Sequence, residues 1–316
     1  MMTMMRLVRR SVLLEHTRAA SSRAPRGRYD KHRAPRPSAT RDGEAIPQAK
    51  GELLYGMHSV TQALESQFRR IHALYVRDGV QTAVSGRSKR DASSDQAALD
   101  RIHAMAKEQD IEIKPISKWM LNHITEDKPH QGVVLDVDAL KLPDFEPLAP
   151  TDLVVPNGAP VILALDELHD TQNLGAILRS AHFLGCSAVV LSERNSAPVS
   201  PAASRASAGA LEVLVANNRL LRAKNLHQAL AISRENGWRV VGACSGPNSI
   251  TSNQLGTSQP TILVMGNEHR GLRKGIRQCC DEIVTIPGQA TEEDTRVDSL
   301  NVSVAAAILL YELLHH

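Results

Sequence analysis

Residues 283–314 read IVTIPGQATEEDTRVDSLNVSVAAAILLYELL, and the rest of the chain is arranged around this stretch. Its first four residues, 283–286, are mostly β-branched and are followed by Pro-Gly, which predicts a buried strand that ends in a turn. A polar, acidic loop separates this strand from an apolar segment, 302–314, which predicts a buried helix because it is too short and too Ala-rich to span a bilayer. Ser299 and Asn301 stand directly before that helix, where Ser and Asn are common caps. Two other stretches favour a functional site instead.

The arrangement of an apolar strand followed by a polar cluster occurs twice earlier in the chain. Residues 161–165 lead into DELHDTQNLGAILRSA, and residues 262–265 lead into the Gly-bounded turn GNEHRGL. Strands are predicted at 161–165, 188–191, 212–215, 239–243, 262–265 and 283–286, and helices at 174–184, 201–208, 226–235, 272–279 and 302–314. This alternation predicts an α/β fold with a mostly parallel sheet, in which ligands bind at the carboxyl ends of the strands.

Taken in order, the three segments resemble the motifs of the SpoU/TrmH branch of the SPOUT RNA methyltransferases. The resemblance is close from residue 161 to the C-terminus and loose over residues 53–137. It implies a trefoil knot in the C-terminal domain, S-adenosylmethionine as the methyl donor and the ribose 2′-oxygen of RNA as the acceptor. It also implies a homodimer that pairs through the knot region.

The resemblance further implies a catalytic set consisting of Asn173, Arg179, Glu268, Ser299 and Asn301. By this resemblance, Arg179 would have the central role of activating the 2′-hydroxyl. Because a guanidinium keeps its proton, it would stabilise the developing alkoxide or work with an RNA phosphate that accepts the proton. The alternatives are ordinary ones: a surface arginine at 179 and a helix cap at 173.

Two binding sets complete the predicted site. Backbone groups and apolar side chains that would lie against the methyl donor come from Gly266, Ile286 and Leu300. Residues that resemble the RNA-facing loop of the family, and are predicted to contact phosphates, are Arg194, Asn195, Arg205 and Ser207.

The composition is that of a soluble protein with an unusual beginning. The 316 residues are 42% hydrophobic and 22% charged, and only 3% are aromatic, which argues against an aromatic base-stacking platform. Residues 1–41 contain ten Arg and one Lys but only two acidic residues, Glu15 and Asp30, so the net charge of this segment is +9. Because the net charge of the whole chain is +3, the remaining residues carry −6. Such a segment predicts a mitochondrial transit peptide, with a basic RNA-binding arm as the alternative. A net acidic remainder has to contact RNA through local basic groups.

Four regions are predicted. Residues 1–50 are a transit peptide and basic segment, 51–140 a small α/β domain, 141–160 a Pro-rich linker, and 161–316 the methyltransferase domain. The small domain has strands at 71–76 and 111–116, a helix at 97–108, a polar loop at 85–95 and a last strand VVLDV. Its layout resembles the ribosomal-protein-like substrate-binding domain that many family members carry. His130, before the last strand, is interpreted as a structural hydrogen-bonding residue at a turn.

Other site classes lack their motifs. No G-x-G-x-x-G follows the strand at 161–165, no phosphate-binding G-x-x-x-x-G-K-[ST] occurs, and the four cysteines show no C-x-x-C pair that would hold a metal. No segment has the length and purity of a membrane-spanning helix. The sequence therefore predicts a mitochondrial matrix enzyme that methylates the 2′-oxygen of a guanosine in large-subunit ribosomal RNA, without metal or membrane insertion. The alternatives are a transfer-RNA substrate and a catalytically silent RNA-binding ribosome assembly factor.

Overall fold

Two β-sheets organise the part of the chain that the computed structural model describes, which is residues 46–79, 89–153, 155, 158–246, 248–288 and 299–315. Most of the predicted transit peptide, residues 1–45, lies outside the described residues. So does the acidic loop at 289–298, which includes Asp298. Nothing in the fold bears on these two predictions.

The first sheet, here called the small sheet, has four strands in the order β1-β4-β2-β3. Its elements are β1 Glu52–Tyr55, α1 Met57–Ser66, β2 Ile71–Arg77, α2 Lys89–Glu108, β3 Ile113–Ile116, α3 Lys118–Ile124 and β4 Val133–Val137. Strand β4 is antiparallel to β1 and β2, whereas β2 and β3 are parallel. One face packs on α1 and α2 and the other on α3. The prediction missed α3, and the predicted loop at 85–95 is wrong from Lys89 onward because α2 begins there.

The second sheet, the large sheet, has seven strands in the order β7-β6-β5-β10-β8-β11-β9, and every neighbouring pair is parallel. Its strands are β5 Val161–Leu165, β6 Ala188–Ser192, β7 Leu220–Ala223, β8 Arg239–Ala243, β9 Ile250–Thr251, β10 Thr261–Met265 and β11 Glu282–Thr285. Its helices are α4 Thr171–Leu184, α5 Pro201–Ala206, α6 Ala210–Ala216, α7 Leu226–Glu235, α8 Lys274–Cys279 and α9 Val302–His315.

Helices cover both faces of the large sheet, as the alternation predicts. Leu163 of β5 points into a core shared with α4, α6 and α9, while the next residue, Ala164, points into a core shared with α7 and α8. Both cores are closed by side chains that are essentially unexposed. The predicted parallel α/β fold is therefore confirmed, and the carboxyl ends of β5, β10, β8 and β11 lie side by side at one edge.

One predicted strand is wrong. Residues 212–215 lie in α6, and the strand of this region is the later β7. A short apolar run such as LEVLV does not distinguish a strand from a buried helix, and here tertiary packing against α1 decides for the helix. The two-residue strand β9 was not predicted either.

The Pro-rich segment at 141–160 is docked rather than free. Asp144 forms a β-bridge and an ion pair at 2.8 Å with Arg222 of β7, and Trp238 Nε1 donates to the carbonyl oxygen of Leu148 at 2.8 Å. This segment therefore runs along the edge strand of the large sheet and extends the core beneath it.

The two sheets meet at a seam, where α1 of the small-sheet region packs against α6. Close approach depends on Gly209, where a Cβ would lie 2.9 Å from the backbone oxygen of His58. At the centre of the seam the Arg69 guanidinium donates two hydrogen bonds to Glu212, both 2.8 Å, and both side chains are 1% exposed. Arg69 also pairs with Glu52 at 3.2 Å.

His130 has the structural role that its position predicts. Its Nδ1 accepts a hydrogen bond from the N–H of Gly132 at 3.0 Å, and its Nε2 lies 2.8 Å from Asn122 Oδ1. Burial lowers the pKa of His130, so the ring stays neutral with its proton on Nε2. The interpretation as a turn-stabilising residue is confirmed.

Candidate active site

Three side chains form a hydrogen-bonded chain that joins the three polar segments. Asn301 Nδ2 donates to Asn173 Oδ1 at 3.1 Å, and Asn173 Nδ2 donates to Glu268 Oε1 at 3.5 Å. Asn173 lies in the first turn of α4, Glu268 after β10 and Asn301 directly before α9. The fold thus brings together, from strand ends far apart in sequence, three of the five residues predicted to be catalytic.

Backbone donors hold the Glu268 carboxylate. It accepts hydrogen bonds from the N–H of Asp170 at 3.1 Å and of His169 at 3.4 Å, and from Asn267 Nδ2 at 3.3 Å. Burial acts to raise the pKa of Glu268, but hydrogen bonds from these backbone groups, from its own N–H and from Asn173 outweigh burial and keep the pKa below its ordinary value. The carboxylate is therefore an ionised acceptor that fixes its neighbours.

Two details differ from the prediction. Glu268 accepts no direct hydrogen bond from Asn301 or Arg179 among the described residues, and Asn301 reaches it only through Asn173. The N-cap of α4 is Asp170, whose carboxylate accepts from the N–H of Asn173 at 2.9 Å, so the interpretation of Asn173 as a cap is wrong. The helix begins three residues earlier than predicted because Asp170 supplies that cap.

The entrance of α9 combines a cap with part of the site. Asn301 Oδ1 accepts from the N–H and the Oγ of Ser303 at 2.8 and 2.6 Å, while its amide nitrogen is directed to Asn173. The capping interpretation and the site interpretation are thus compatible at this residue. Ser299 and Leu300 are exposed beside it, Leu300 with 51% of its surface.

The turn after β10 is organised by Asn267, which the sequence analysis did not single out. Its Oδ1 accepts from the N–H of His269 and Arg270 at 3.0 and 3.1 Å, and its backbone pairs with Gly271 in both directions. Its Nδ2 also donates to the carbonyl of Glu167 at 2.8 Å, which ties this turn to the end of β5. An Asn directly after a strand and before a Gly-bounded turn is the available sequence signal.

An ion pair between a buried carboxylate and a half-exposed arginine links the end of β5 to the segment after β10. Asp166, which is fully buried at the end of β5, accepts from Arg273 Nε at 2.9 Å, and Arg273 is the residue before α8. The pair fixes the start of α8 against β5, and the sequence analysis did not single it out.

Gly266 is buried, and its own turn explains why no side chain fits. A Cβ at this position would lie 2.3 Å from the carbonyl carbon of Gly271 and 2.5 Å from the nitrogen of Leu272. Both are backbone atoms that cannot yield cheaply, so a larger residue would open the turn whether or not a ligand is present. A substitution at 266 would therefore report on the turn and not on a bound donor.

The residues predicted to bind the methyl donor lie near the carboxyl ends of β10 and β11 and the start of α9. Gly266 follows β10, and Ile286 follows β11 and packs against the core that α9 covers. Leu300 precedes α9, which contacts β10. Half-buried and exposed apolar side chains thus flank the carboxyl ends of the central strands, as a site for an adenosine and a methionine chain requires.

Arg179 lies apart from the Asn173–Glu268 hydrogen bonds. It is exposed on α4, six residues or roughly 9 Å of helix rise beyond Asn173, and it forms no ion pair or hydrogen bond with any described residue. It lines a cleft of about 920 Å³ between helices α4–α6 and α1 of the small-sheet region. The structure therefore places Arg179 where a bound molecule can reach it, with none of its donors bound to a residue that the structure describes.

The four predicted RNA contacts divide into two pairs. Arg194 and Asn195 are exposed in the loop after β6, where Asn195 has a left-handed backbone (φ 52°) and donates to Glu167 at 3.2 Å. Arg205 lines the same cleft as Arg179. Ser207 is 1% exposed, and its hydroxyl donates to the carbonyl of Ser204 at 2.8 Å and accepts from the N–H of Leu211 at 3.1 Å.

Ser207 lies at the wall of the same cleft, but only 1% of its surface is exposed, and its contact with RNA stays a prediction. Its hydroxyl is already engaged inside the protein, where it links α5 to α6.

Within the described parts of the chain, no cluster of three or more His, Cys, Asp or Glu residues is arranged to hold a metal ion, and no helix is long and apolar enough to cross a membrane.

Comparisons with known proteins agree with this architecture. Residues 160–311 match the SpoU rRNA Methylase family, and residues 53–143 match the family described as RNA 2′-O ribose methyltransferase substrate binding. A relative from Schizosaccharomyces pombe, "rRNA methyltransferase 1, mitochondrial", is 33% identical over 84% of this chain and 90% of its own length. The human protein of the same name is 31% identical over 85% of this chain and 74% of its own length.

Solved structures show the same fold. The SpoU methyltransferase AviRb from Streptomyces viridochromogenes in complex with AdoMet gives a TM-score of 0.62 at 21% identity, covering 83% of this chain and 88% of that one. AdoMet-bound rRNA methyltransferase from Sinorhizobium meliloti gives 0.60 at 23% identity, covering 83% and 86%. The chain belongs to the SpoU family of RNA methyltransferases. Its methylase domain is preceded by the substrate-binding region that matches residues 53–143.

Proposed function

We propose that the chain transfers a methyl group from S-adenosylmethionine to the ribose 2′-oxygen of a guanosine in mitochondrial large-subunit ribosomal RNA. The observation that carries this proposal is the Asn301–Asn173–Glu268 hydrogen-bonded chain, which assembles the three strand-end segments into one site. Membership of the family supports RNA methylation and the methyl donor. The names of the yeast and human relatives support ribosomal RNA and mitochondria.

Each residue of the site has its own role in the proposed methyl transfer. S-adenosylmethionine supplies an activated methyl group. The ribose hydroxyl has to lose its proton as its oxygen bonds to carbon, and Arg179 stabilises the negative charge that develops on that oxygen. Because its guanidinium keeps its own proton, the proton of the hydroxyl passes to an RNA phosphate or to water. Glu268 and Asn173 hold the entrance of α9, so that Ser299 and Asn301 present fixed polar groups to the ribose.

The donor is proposed to lie against Gly266, Ile286 and Leu300. An aspartate in place of the exposed Leu300 would put a charge on that apolar surface, so Leu300→Asp should weaken S-adenosylmethionine binding by about tenfold or more, which is 1.4 kcal/mol. The matched control is Leu148→Asp, since Leu148 is 50% exposed but lies on the docked segment beside β7. Equal affinities of the two variants by calorimetry would refute this placement.

The enzyme is proposed to work as a homodimer that uses α9 and the neighbouring α4. Large apolar side chains are exposed on these helices and at their ends: Phe183 (86%), Leu300 (51%), Val304 (47%) and Tyr311 (51%). Arg179 is also exposed on α4, so a partner subunit that covers this surface would lie beside it. A monomer with full activity in sedimentation and kinetic measurements at one concentration would refute the dimer.

A trefoil knot is proposed for the C-terminal part of the chain.

The basic segment before residue 46 is proposed to direct import into the mitochondrial matrix. A fusion of residues 1–41 to a fluorescent reporter should enter mitochondria, because a basic, acid-poor segment is what import requires. A protein without this segment should keep its methylation activity in vitro. If the truncation abolished RNA binding, the segment would be an RNA-binding arm instead.

The deciding experiment is single-turnover methyl transfer from labelled S-adenosylmethionine to mitochondrial large-subunit ribosomal RNA, followed by mapping of 2′-O-methyl groups. We expect one methylated guanosine. Transfer to mitochondrial transfer RNA alone would establish the transfer-RNA alternative. RNA binding without transfer to either RNA would favour the assembly-factor alternative.

A further inference from the structure

The order of the central strands places a further loop between two segments proposed to hold the methyl donor. Strand β8 lies between β10 and β11, and its last residue, Ala243, is aligned with Met265 on one side and with Val284 on the other. Gly266 directly follows β10, and Ile286 directly follows β11. The loop after β8 therefore leaves the sheet between these two positions.

This loop stays close to the end of β11. The N–H of Cys244 donates to the carbonyl oxygen of Val284 at 3.0 Å, and the hydroxyl oxygens of Ser245 and Thr285 are 3.4 Å apart. The first residues of the loop therefore continue the line of the sheet and run beside the segment that carries Ile286.

The segment 272–280, which contains α8, crosses the end of β8 and brings an arginine to the loop. A Cβ on Gly242 of β8 would lie 2.7 Å from both Cys280 Sγ and Leu272 Cδ1, so this segment packs directly on the strand. From α8 the guanidinium of Arg277 reaches Gly246, where a Cβ would lie 2.9 Å from Nη2. The absence of a side chain at 246 therefore leaves the space that the guanidinium occupies.

Arg277 has no partner among the residues that the structure describes. Its side chain is exposed, and it forms no hydrogen bond or ion pair within the described ranges. Arg273, four residues earlier, is instead paired with Asp166 and Glu167. Glu268, whose lowered pKa keeps it ionised, follows the neighbouring strand β10. Groups of opposite charge therefore lie near the ends of neighbouring strands, and the positive one can bind a ligand.

The methyl donor contains one group that requires a cation. Its sulfonium and ammonium are positive and its adenine is neutral, whereas the methionine part ends in a carboxylate. The residues proposed to lie against the methyl donor, Gly266, Ile286 and Leu300, offer only backbone and apolar groups. A guanidinium presents paired N–H donors that match the two oxygens of a carboxylate.

We propose that Arg277 binds the carboxylate of the methionine part of S-adenosylmethionine, in a space that Gly246 keeps open. The inference rests on the proposed function, in which the methyl donor lies at the ends of β10 and β11. It goes further by assigning the residue that distinguishes the complete methyl donor from adenosine derivatives without a carboxylate. Arg277 is a specificity residue and takes no part in moving the methyl group or the proton.

The first test compares two ligands that differ in one group. Decarboxylated S-adenosylmethionine keeps the adenosine, the sulfonium and the ammonium but lacks the carboxylate. The wild type should bind S-adenosylmethionine about tenfold more tightly than this analogue. Arg277→Ala should bring the ratio of the two affinities close to one by weakening only S-adenosylmethionine. Arg277→Lys should restore part of the ratio, because an ammonium keeps the charge and lacks the planar fork.

Calorimetry without RNA measures both affinities, and the matched control is Arg270→Ala. Arg270 is exposed in the turn after β10, at the same edge of the sheet. Its removal should leave the ratio within about twofold of the wild type, because salt screens exposed charges that are not in contact. A ratio in Arg277→Ala equal to that of the wild type would overturn the proposal. So would an equal loss in Arg270→Ala, since the general charge of the edge would then be the cause.

The second test asks whether Gly246 keeps the space of the guanidinium open. Gly246→Ala should lower the same ratio, because its Cβ would displace the flexible end of Arg277 while the backbone stays in place. In an Arg277→Ala background it should change the ratio no further, since both substitutions act on one contact. The control is Gly256→Ala, whose Cβ would lie 3.4 Å from the guanidinium of Arg239 at the start of β8. Additive losses in the double variant, or an equal loss in Gly256→Ala, would overturn the role of Gly246.

These measurements need neither RNA nor methyl transfer. A wild type that shows the expected ratio of affinities but methylates no RNA would count against the proposed function and leave the role of Arg277 standing. Normal methyl transfer by the wild type, together with the same ratio in the wild type and in Arg277→Ala, would count against Arg277 alone.

Discussion

The seam and the active site are both built from polar groups that are distant in sequence, yet they are built differently. At the seam, Arg69 and Glu212 are 143 residues apart, meet through two hydrogen bonds of 2.8 Å and are almost completely buried. At the site, Asn301 and Asn173 are 128 residues apart, meet at 3.1 Å, and lie partly in solvent. The next contact, to Glu268, is 3.5 Å.

The difference separates support from function. A bidentate ion pair that is desolvated on both sides is complete and rigid, since either partner alone would be a buried charge. The hydrogen bonds of the site lie partly in solvent, and the one from Asn173 to the Glu268 carboxylate is long at 3.5 Å. Catalytic hydrogen bonds often tighten only when the substrate is bound. The seam therefore fixes where the site is, while the site itself is left for its ligands to complete.

The largest effect should come from the seam. Glu212→Ala leaves the buried Arg69 guanidinium with the Glu52 carboxylate and the carbonyl oxygen of Asp138 as its partners, both 3.2 Å from Nη1. Loss of the bidentate carboxylate should lower the free energy of unfolding by about 3–5 kcal/mol. The control is Glu65→Ala, which removes the partner of Arg101 from an exposed pair and should cost less than about 1 kcal/mol. Urea unfolding measures both. Equal losses would show that the seam is no stronger than a surface ion pair.

Arg179→Ala should have the next largest effect, and this effect should be on turnover instead of stability. Turnover should fall by about 10² to 10³, the usual loss for one preorganised donor that stabilises charge in the transition state, while the free energy of unfolding should hardly change because Arg179 is exposed and unpaired within the described chain. Arg179→Lys should restore little activity, since an ammonium lacks the planar fork. Single-turnover transfer and urea unfolding check the two halves. Near-normal turnover would refute the role.

Asn173→Ala should lower turnover less than Arg179→Ala does and lower stability less than Glu212→Ala does. It removes the link between Glu268 and Asn301 but leaves the Asp170 cap in place, so helix α4 stays intact. We expect turnover to fall by about tenfold and stability to fall by less than about 1 kcal/mol. If Asn173→Ala destabilised the protein as much as Glu212→Ala, the site would be a structural element like the seam.

The smallest effect concerns pH. Because the pKa of Glu268 is lowered in the folded chain, its ionised form contributes stability that is fully present above the unfolded pKa and is lost as the pH falls through the folded one. Glu268→Gln should therefore make the protein less stable than the wild type at neutral pH, with the difference shrinking in acid. Thermal unfolding at a series of pH values measures this. A difference that grows on acidification would contradict the assignment.

The sequence predicts the site segments well because they follow strand ends. Parallel strands bring their carboxyl ends to one edge, so clusters after residues 165 and 265 and before residue 302 had to lie close together. Local pattern does not predict side-chain direction, which is why the link of Asn301 to Glu268 through Asn173 and the burial of Ser207 came only from the structure.

The Arg69–Glu212 pair at the seam could not be predicted from the sequence, again because local pattern does not show which side chains meet. Arg69 and Glu212 look like ordinary charged residues on polar faces, and only tertiary packing makes them a buried pair. The same packing converts residues 212–215 from a predicted strand into part of α6. Long-range contacts thus decide both the structure of residues 212–215 and the burial of the Arg69–Glu212 pair.

The docked segment along β7 has a consequence for dissecting the protein. Strand β7 is an edge strand, and the Asp144–Arg222 bridge together with the hydrogen bond from Arg222 N–H to the carbonyl of Pro143 occupies part of its free side. A fragment that begins near residue 160, where the family match begins, would expose this edge and the apolar surface under Phe145. Uncovered edges template aggregation. A soluble catalytic fragment therefore has to start before residue 143.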